Sequence, residues 1–174
     1  YVTQELNVGG GFGIRYTDAD DKKPYAYFLD PMMAEIEEFS KRMDIKRPEI
    51  VIEPGRSIVG EAGIRLYTIG TIKDIEGIRK YVSVDGGMTD NIRPALYQAK
   101  YECVIANKAS QPSTDLVTIS GKCCESGDIL IRDAYIPLAE RGDILAIFST
   151  GAYGYAMASN YNKNPFPATV LVKE

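Results

Sequence analysis

The 174-residue chain contains no histidine and no tryptophan, and only three cysteines. Without histidine, it cannot build Ser-His-Asp or Cys-His couples or imidazole metal sites from its own residues. Chemistry is left to lysine, cysteine, tyrosine, the carboxylates or a bound cofactor. Cys123 and Cys124 are adjacent rather than spaced like a zinc pair, so no metal site is expected, and the odd cysteine count favours a reducing compartment over a disulfide framework. No apolar run approaches the roughly 20 residues that span a bilayer, and Tyr1-Val2-Thr3-Gln4-Glu5 has no basic segment leading into an apolar one. A cytoplasmic protein without a membrane partner is the expectation. A net charge of -4 with scattered basic residues argues against nucleic acid, whose phosphates call for clustered Lys and Arg. An initiator methionine is missing as well, and the chain is expected to begin inside a domain.

What is present is a globular composition, 45% hydrophobic and 25% charged. Leu6 and Val8 precede Gly9-Gly10-Gly11, which reads as a short buried strand ending in a loop. A helix is expected from Asp30 as N-cap and Pro31 at the first helical position, with Met32, Ile36, Phe39 and Met43 on its apolar face. Ile50-Val51-Ile52 is a β-branched run typical of a strand buried on both faces, and it ends at Glu53-Pro54-Gly55-Arg56. Strand, helix, strand accounts for residues 1–60. From Gly63 onward the texture is short β-rich runs separated by turns: 64–72, 80–84, 101–106, 116–119, 129–131, 144–148 and 168–172. An α/β segment over 1–60 followed by an antiparallel β-barrel or sandwich over 61–174 is the expected organisation.

Three stretches stand out chemically. Three successive glycines after a strand let backbone N–H groups approach an anion closely, although a flexible turn satisfies the same pattern. Glu53-Pro54-Gly55-Arg56 places an anion and a fork-shaped cation at the carboxy end of a strand, where barrel enzymes keep catalytic groups. A Pro-Gly turn carrying a surface ion pair is the alternative. Cys124 is a thiol of ordinarily high pKa and therefore a possible proton donor, whereas a small buried hydrophobe is the commoner state of a free cysteine. Alternation along an extended segment would send Cys123 into the packing and Cys124 to the opposite face.

Taken together, Leu6-Asn7-Val8-Gly9-Gly10-Gly11-Phe12-Gly13, Glu53-Pro54-Gly55-Arg56 and Cys124-Glu125-Ser126-Gly127-Asp128 resemble the fold-type III pyridoxal-phosphate-dependent decarboxylases. Val84-Asp85-Gly86-Gly87-Met88-Thr89-Asp90-Asn91, Arg93-Pro94-Ala95-Leu96-Tyr97 and Gly151-Ala152-Tyr153 are similar to the diaminopimelate branch of that family. The resemblance covers essentially the whole chain. It implies the last βα units of a (β/α)8 barrel in residues 1–60, joined to the β-domain.

The same resemblance implies a set of roles. Gly9, Gly10, Gly11, Gly55, Arg56 and Tyr153 would hold the phosphate of pyridoxal 5'-phosphate, and Glu53 would face the pyridine nitrogen. Arg56, Arg93, Tyr97, Glu125 and Tyr153 would bind the amino-acid substrate. Arg93 suits a bidentate, charge-assisted bond to a carboxylate, worth about 1.5 to 3 kcal/mol. Outside the resemblance, Asn91–Pro94 reads as a turn and Tyr97 as a packed aromatic. Cys124 would protonate the decarboxylated carbon in the neighbouring subunit of a homodimer. The implied reaction converts meso-diaminopimelate to L-lysine and carbon dioxide. The family's cofactor-bearing lysine and ring-stacking histidine have no counterpart here, so an amino-terminal barrel segment is expected to supply them and the chain alone is expected to be inactive. A sister decarboxylase of ornithine, arginine or a carboxylated polyamine, and a non-catalytic dimerisation or binding module, are the alternatives.

Overall fold

In a computed structural model, which describes residues 2–173, Glu5–Asn7 (β1) and Glu49–Val51 (β2) pair in parallel, with the 18-residue helix Tyr25–Arg42 (α1) between them in the chain. The parallel pairing runs on into the loops, because Val8 donates to Val51 O at 2.9 Å and Glu53 donates to Gly9 O at 2.8 Å. The glycine run and Glu53 therefore leave the carboxy ends of neighbouring strands, the edge at which α/β sheets collect ligands.

The helix begins five residues before the expected N-cap. Pro24 is the N-cap and Pro31 lies inside α1, where it removes one backbone donor. Tertiary contact outweighs that cost. Phe12 packs edge-on against Tyr25 and Phe28, with ring centroids 5.0 and 5.8 Å away, and Tyr25 hydrogen-bonds Ser57 at 2.8 Å. Met32 and Ile36 of the expected apolar face are half-buried, whereas Phe39 and Met43 are exposed.

After the short helix Gly55–Val59 (α2), six strands form one sheet: Arg65–Ile75 (β3), Arg79–Val84 (β4), Cys103–Ile105 (β5), Asp115–Ser120 (β6), Ile129–Ile136 (β7) and Ile144–Ile147 (β8). Their order is β5-β8-β3-β4-β6-β7, and the two edge strands β5 and β7 come against each other, so the sheet nearly closes into a barrel. The expectation of a wholly antiparallel domain is corrected: β4 and β6 run parallel, and the sheet is mixed. Parallel neighbours need a crossover. Here the long excursion 85–114 supplies it, carrying helix Arg93–Tyr97 (α3) and strand β5. The strand expected over 168–172 is absent; that segment is irregular, and Val170, Leu171 and Val172 are exposed.

Period-two alternation builds the barrel core. Tyr67 and Ile69 of β3, Val82 and Val84 of β4, Val117 and Ile119 of β6, and Leu145 and Ile147 of β8 point inward. Each such side chain contributes about 1.5 to 3 kcal/mol over an exposed position. The β7–β8 turn is tied down by polar groups: Lys108 bonds Asp143 at 2.8 Å and Glu140 at 2.7 Å, while Asn107 donates to Asp143 at 2.7 Å. Burial raises the Asp143 carboxyl, but Lys108, Asn107 and the Glu140 N–H outweigh it and hold the group below its ordinary value.

Candidate functional site

The glycine loop and Glu53 form one unit. Gly9 and Gly11 have φ of 77° and 87°, and a Cβ on Gly10 would collide with the Glu53 carbonyl. Positive φ favours glycine at the first and third positions, and the clash leaves room for nothing larger at the second. Asn7 joins the two sides, accepting the Gly9 N–H at 2.8 Å and donating to Glu53 Oε1 at 2.7 Å. Among the described residues no protein acceptor takes the N–H of Gly10 or Gly11, which suits an anion cradle. Gly55 opens α2 and Arg56 follows, half-buried, on its first turn.

A joint of bare backbone couples α2 to the turn that carries Tyr153. Gly151 N–H donates to Gly60 O at 2.9 Å and Thr150 N–H to Gly63 O at 3.0 Å. A Cβ on Gly151 would strike the Val59 carbonyl, and one on Gly63 would strike Gly151. Tyr153 itself adopts φ 66°, a left-handed conformation that costs a non-glycine residue on the order of 1 kcal/mol or more.

Tyr153 faces the second unit. The Arg93 guanidinium lies 5.7 Å from its ring centroid, 4.9 Å from that of Tyr16 and 5.9 Å from that of Tyr101. Arg93 Nη1 donates to the Tyr16 hydroxyl at 2.9 Å and to the Tyr101 hydroxyl at 2.7 Å. The arginine is only 8% exposed, yet no carboxylate of the described residues lies within ion-pair distance of it. Burial disfavours its charge, but Tyr101 and Tyr16 more than compensate, and Arg93 stays a cation. Tyr97, at the end of α3, is exposed and with Arg93, Tyr16, Asp20 and Lys100 lines an open cavity of about 310 Å³.

The third unit is the β6–β7 loop. Cys124 and Glu125 are exposed, Cys123 is half-buried, and Glu125 accepts a hydrogen bond from the Tyr161 hydroxyl. That bond raises the Tyr161 phenol above its usual range. The two cysteines do differ in burial, but the segment bends rather than extends, so strand alternation is not the cause. No hydrogen bond among the described residues joins Cys124 or Glu125 to the glycine loop, Glu53 or Arg56. The structure thus brings Gly9–Gly11 to Glu53, and Arg93 to Tyr153, and leaves the cysteine loop apart from the glycines. Sequence reasoning missed Asn7, Tyr16 and Tyr101: Asn7 lies in the motif that leads into the glycine run but was given no role there, whereas Tyr16 and Tyr101 sit in no glycine-marked or charge-bearing motif that would single them out.

This architecture belongs to a family of cofactor-dependent enzymes: residues 1–151 match the model of the pyridoxal-dependent decarboxylases, C-terminal sheet domain, and the chain is a member of that family. Within it, the chain is 56% identical over 173 residues to diaminopimelate decarboxylase of Bacillus methanolicus, covering 99% of this chain and 40% of the relative. It is 53% identical over 173 residues to diaminopimelate decarboxylase of Bacillus subtilis (strain 168), covering 99% and 39%. The crystal structure of diaminopimelate decarboxylase from M. jannaschii in co-complex with L-lysine superposes with a TM-score of 0.81 at 35% identity, covering 91% of this chain and 36% of that one. The chain spans about 40% of the length of the curated relatives it matches.

Proposed function

We propose that this chain forms the cofactor-cradling and substrate-gripping part of a pyridoxal-phosphate-dependent decarboxylase that converts meso-diaminopimelate to L-lysine and carbon dioxide. The observation that carries the reading is Arg93, a buried cation held by phenols and left without a carboxylate partner. A dicarboxylic substrate supplies that partner, and a substrate with a bare amine at its far end does not. Diaminopimelate decarboxylase is also the name of the Bacillus relatives.

The donor set fits the cofactor. Gly9, Gly10 and Gly11 would offer backbone N–H groups and Arg56 a guanidinium to a phosphate, and Gly55 and the Tyr153 hydroxyl would complete the set of residues that hold it. Bound there, pyridoxal phosphate supplies the electron sink for the pair left on carbon when carbon dioxide departs. Glu53, oriented by Asn7, holds a proton on the ring nitrogen. Arg93, Tyr97 and Arg56 bind carboxylate oxygens, and Glu125 binds the distal ammonium. Cys124 Sγ gives its proton to the decarboxylated carbon, which replaces the lost carboxylate with hydrogen.

In this reading residues 1–60 complete a (β/α)8 barrel and residues 61–174 are a separate β-domain of a cytoplasmic homodimer, with the Cys124–Glu125 loop serving the partner's site. The cofactor-bearing lysine comes from a barrel segment outside this chain. The test is carbon dioxide release from meso-diaminopimelate and, in parallel, from ornithine, by the chain combined with that segment and pyridoxal phosphate, against the chain alone. Release from the combined sample with diaminopimelate alone is expected. Release with ornithine instead would transfer the activity to a sister enzyme, and none from a cofactor-loaded sample would leave a non-catalytic module.

A further inference from the structure

We infer that Asp128 is a positioning residue, fixing the cysteine loop to the turn before α3 and thereby setting where Cys124 presents its thiol. The inference rests on the decarboxylase reading for its kinetic consequence, although the geometry stands without it. Asp128 is 2% exposed. Its two oxygens take separate backbone donors from separate loops: Oδ1 accepts the Met88 N–H at 2.6 Å and Oδ2 the Cys123 N–H at 2.7 Å. No cation of the described residues lies within ion-pair distance, so backbone amides hold this charge. Such charge-assisted bonds are the strong ones and fix direction as well as distance.

The main chain of Asp128 closes the loop on itself. Its carbonyl accepts the Gly121 N–H at 2.9 Å and its N–H donates to Glu125 O at 3.0 Å, while Lys122 N–H reaches across to Gly86 O at 3.0 Å. The space around the carboxylate is kept by two glycines: a Cβ on Gly87, at φ 152°, or on Gly121 would run into the Asp128 carboxylate. Two glycines from different loops thus leave room for one side chain, and that side chain bonds the residue beside Cys124. The far loop continues through Asp90 and Asn91 to Arg93. Asp128 therefore ties the proton-donor loop to the segment that leads into the carboxylate grip.

An asparagine has nearly the same shape but turns one acceptor into a donor, which would then face a backbone N–H. One loop must let go. A displaced Cys124 slows proton delivery without loosening Arg93, so turnover and substrate affinity separate.

The test is Asp128→Asn in the complete enzyme, this chain with its barrel segment, loaded with pyridoxal phosphate. The expected kcat is lower by about tenfold or more, with KM for meso-diaminopimelate within about threefold. Alkylation of Cys124 by iodoacetamide should change rate, and amide exchange should quicken at Met88 and Cys123 but not in β4. Gly121→Ala pushes into the carboxylate without removing its charge and should give the same split, covering the case in which Asp128→Asn does not fold. An unchanged kcat with only a lower melting temperature would overturn the inference. If the unaltered enzyme releases no carbon dioxide, the decarboxylase reading fails, and alkylation and exchange still decide: unchanged values at both would overturn the role of Asp128.

Discussion

Arg93 is an arginine buried among rings rather than beside carboxylates, and that choice of neighbours decides what it can do. Burying an unpaired charge is expensive, and a carboxylate partner would offset the cost but also neutralise the group. Tyr16 and Tyr101 satisfy donor geometry and ring faces stabilise the cation, yet the net positive charge remains for a ligand. Tyr101→Phe removes one bond of 2.7 Å to a charged group. Under the proposed decarboxylase reading, and in the chain combined with its barrel segment, the expected result is KM for the dicarboxylic substrate higher by about tenfold, from roughly 1.5 kcal/mol, with little change in kcat. Steady-state kinetics with varied substrate checks it. Glu53 behaves differently, because its bond to Asn7 aims a charge rather than a grip. If Glu53 has the proposed role, Glu53→Gln in the chain combined with its barrel segment should lower turnover more than pyridoxal-phosphate affinity, and Asn7→Ala should do the same more weakly. Absorbance titration of the cofactor beside carbon dioxide release measures both; equal losses would contradict the ring-nitrogen role.

At the level of elements, what the sequence made legible was whatever backbone geometry forces onto residue choice. Gly9–Gly11 marked the strand end because positive φ and the close approach of Glu53 demand glycine, and the inward residues of β3, β4, β6 and β8 declared themselves by alternation. The start of α1 was hidden, because its extension from Asp30 back to Tyr25 depends on the packing of Phe12, a contact 13 residues away along the chain. The parallel pairing of β4 with β6 was hidden too, since strand composition does not encode direction. Arg93 could be read from its motif, but Tyr16 and Tyr101 could not, because 77 and 8 residues separate them from it. The Gly63–Gly151 joint is the element-scale counterpart of the glycine loop. Gly151→Ala drives a methyl into the Val59 carbonyl, so α2 and the Tyr153 turn must separate. A loss of roughly 1 to 3 kcal/mol in stability is expected, with weaker cofactor binding because Arg56 and Tyr153 lie on opposite sides of the joint. Thermal denaturation and cofactor titration test these together.

For the whole molecule, the barrel core makes stability depend on pH from the alkaline side through Cys103. This thiol is packed against the core on β5, and burial, aided by the nearby Glu102 charge, pushes its pKa up to about 12 from an ordinary 9.0. The folded state therefore holds a proton that the unfolded chain releases once the pH passes about 9. Stability from this group is fully present below pH 9 and falls as pH rises toward 12, by at most about 4 kcal/mol at 1.36 kcal/mol per unit. Buried phenols such as Tyr67 and Tyr101 are also raised and steepen the same limb. Cys103→Ala isolates the thiol: denaturant midpoints should fall less steeply with pH above 9 in the variant than in the parent, although the variant starts lower because a partly buried sulfur packed against the core has been removed. Equal slopes would mean that the thiol ionises in place, and that β5 opens to water as readily as an edge strand without a neighbour. A shallower slope in the variant would show that the near-closure of β5 on β7 keeps water from the barrel interior.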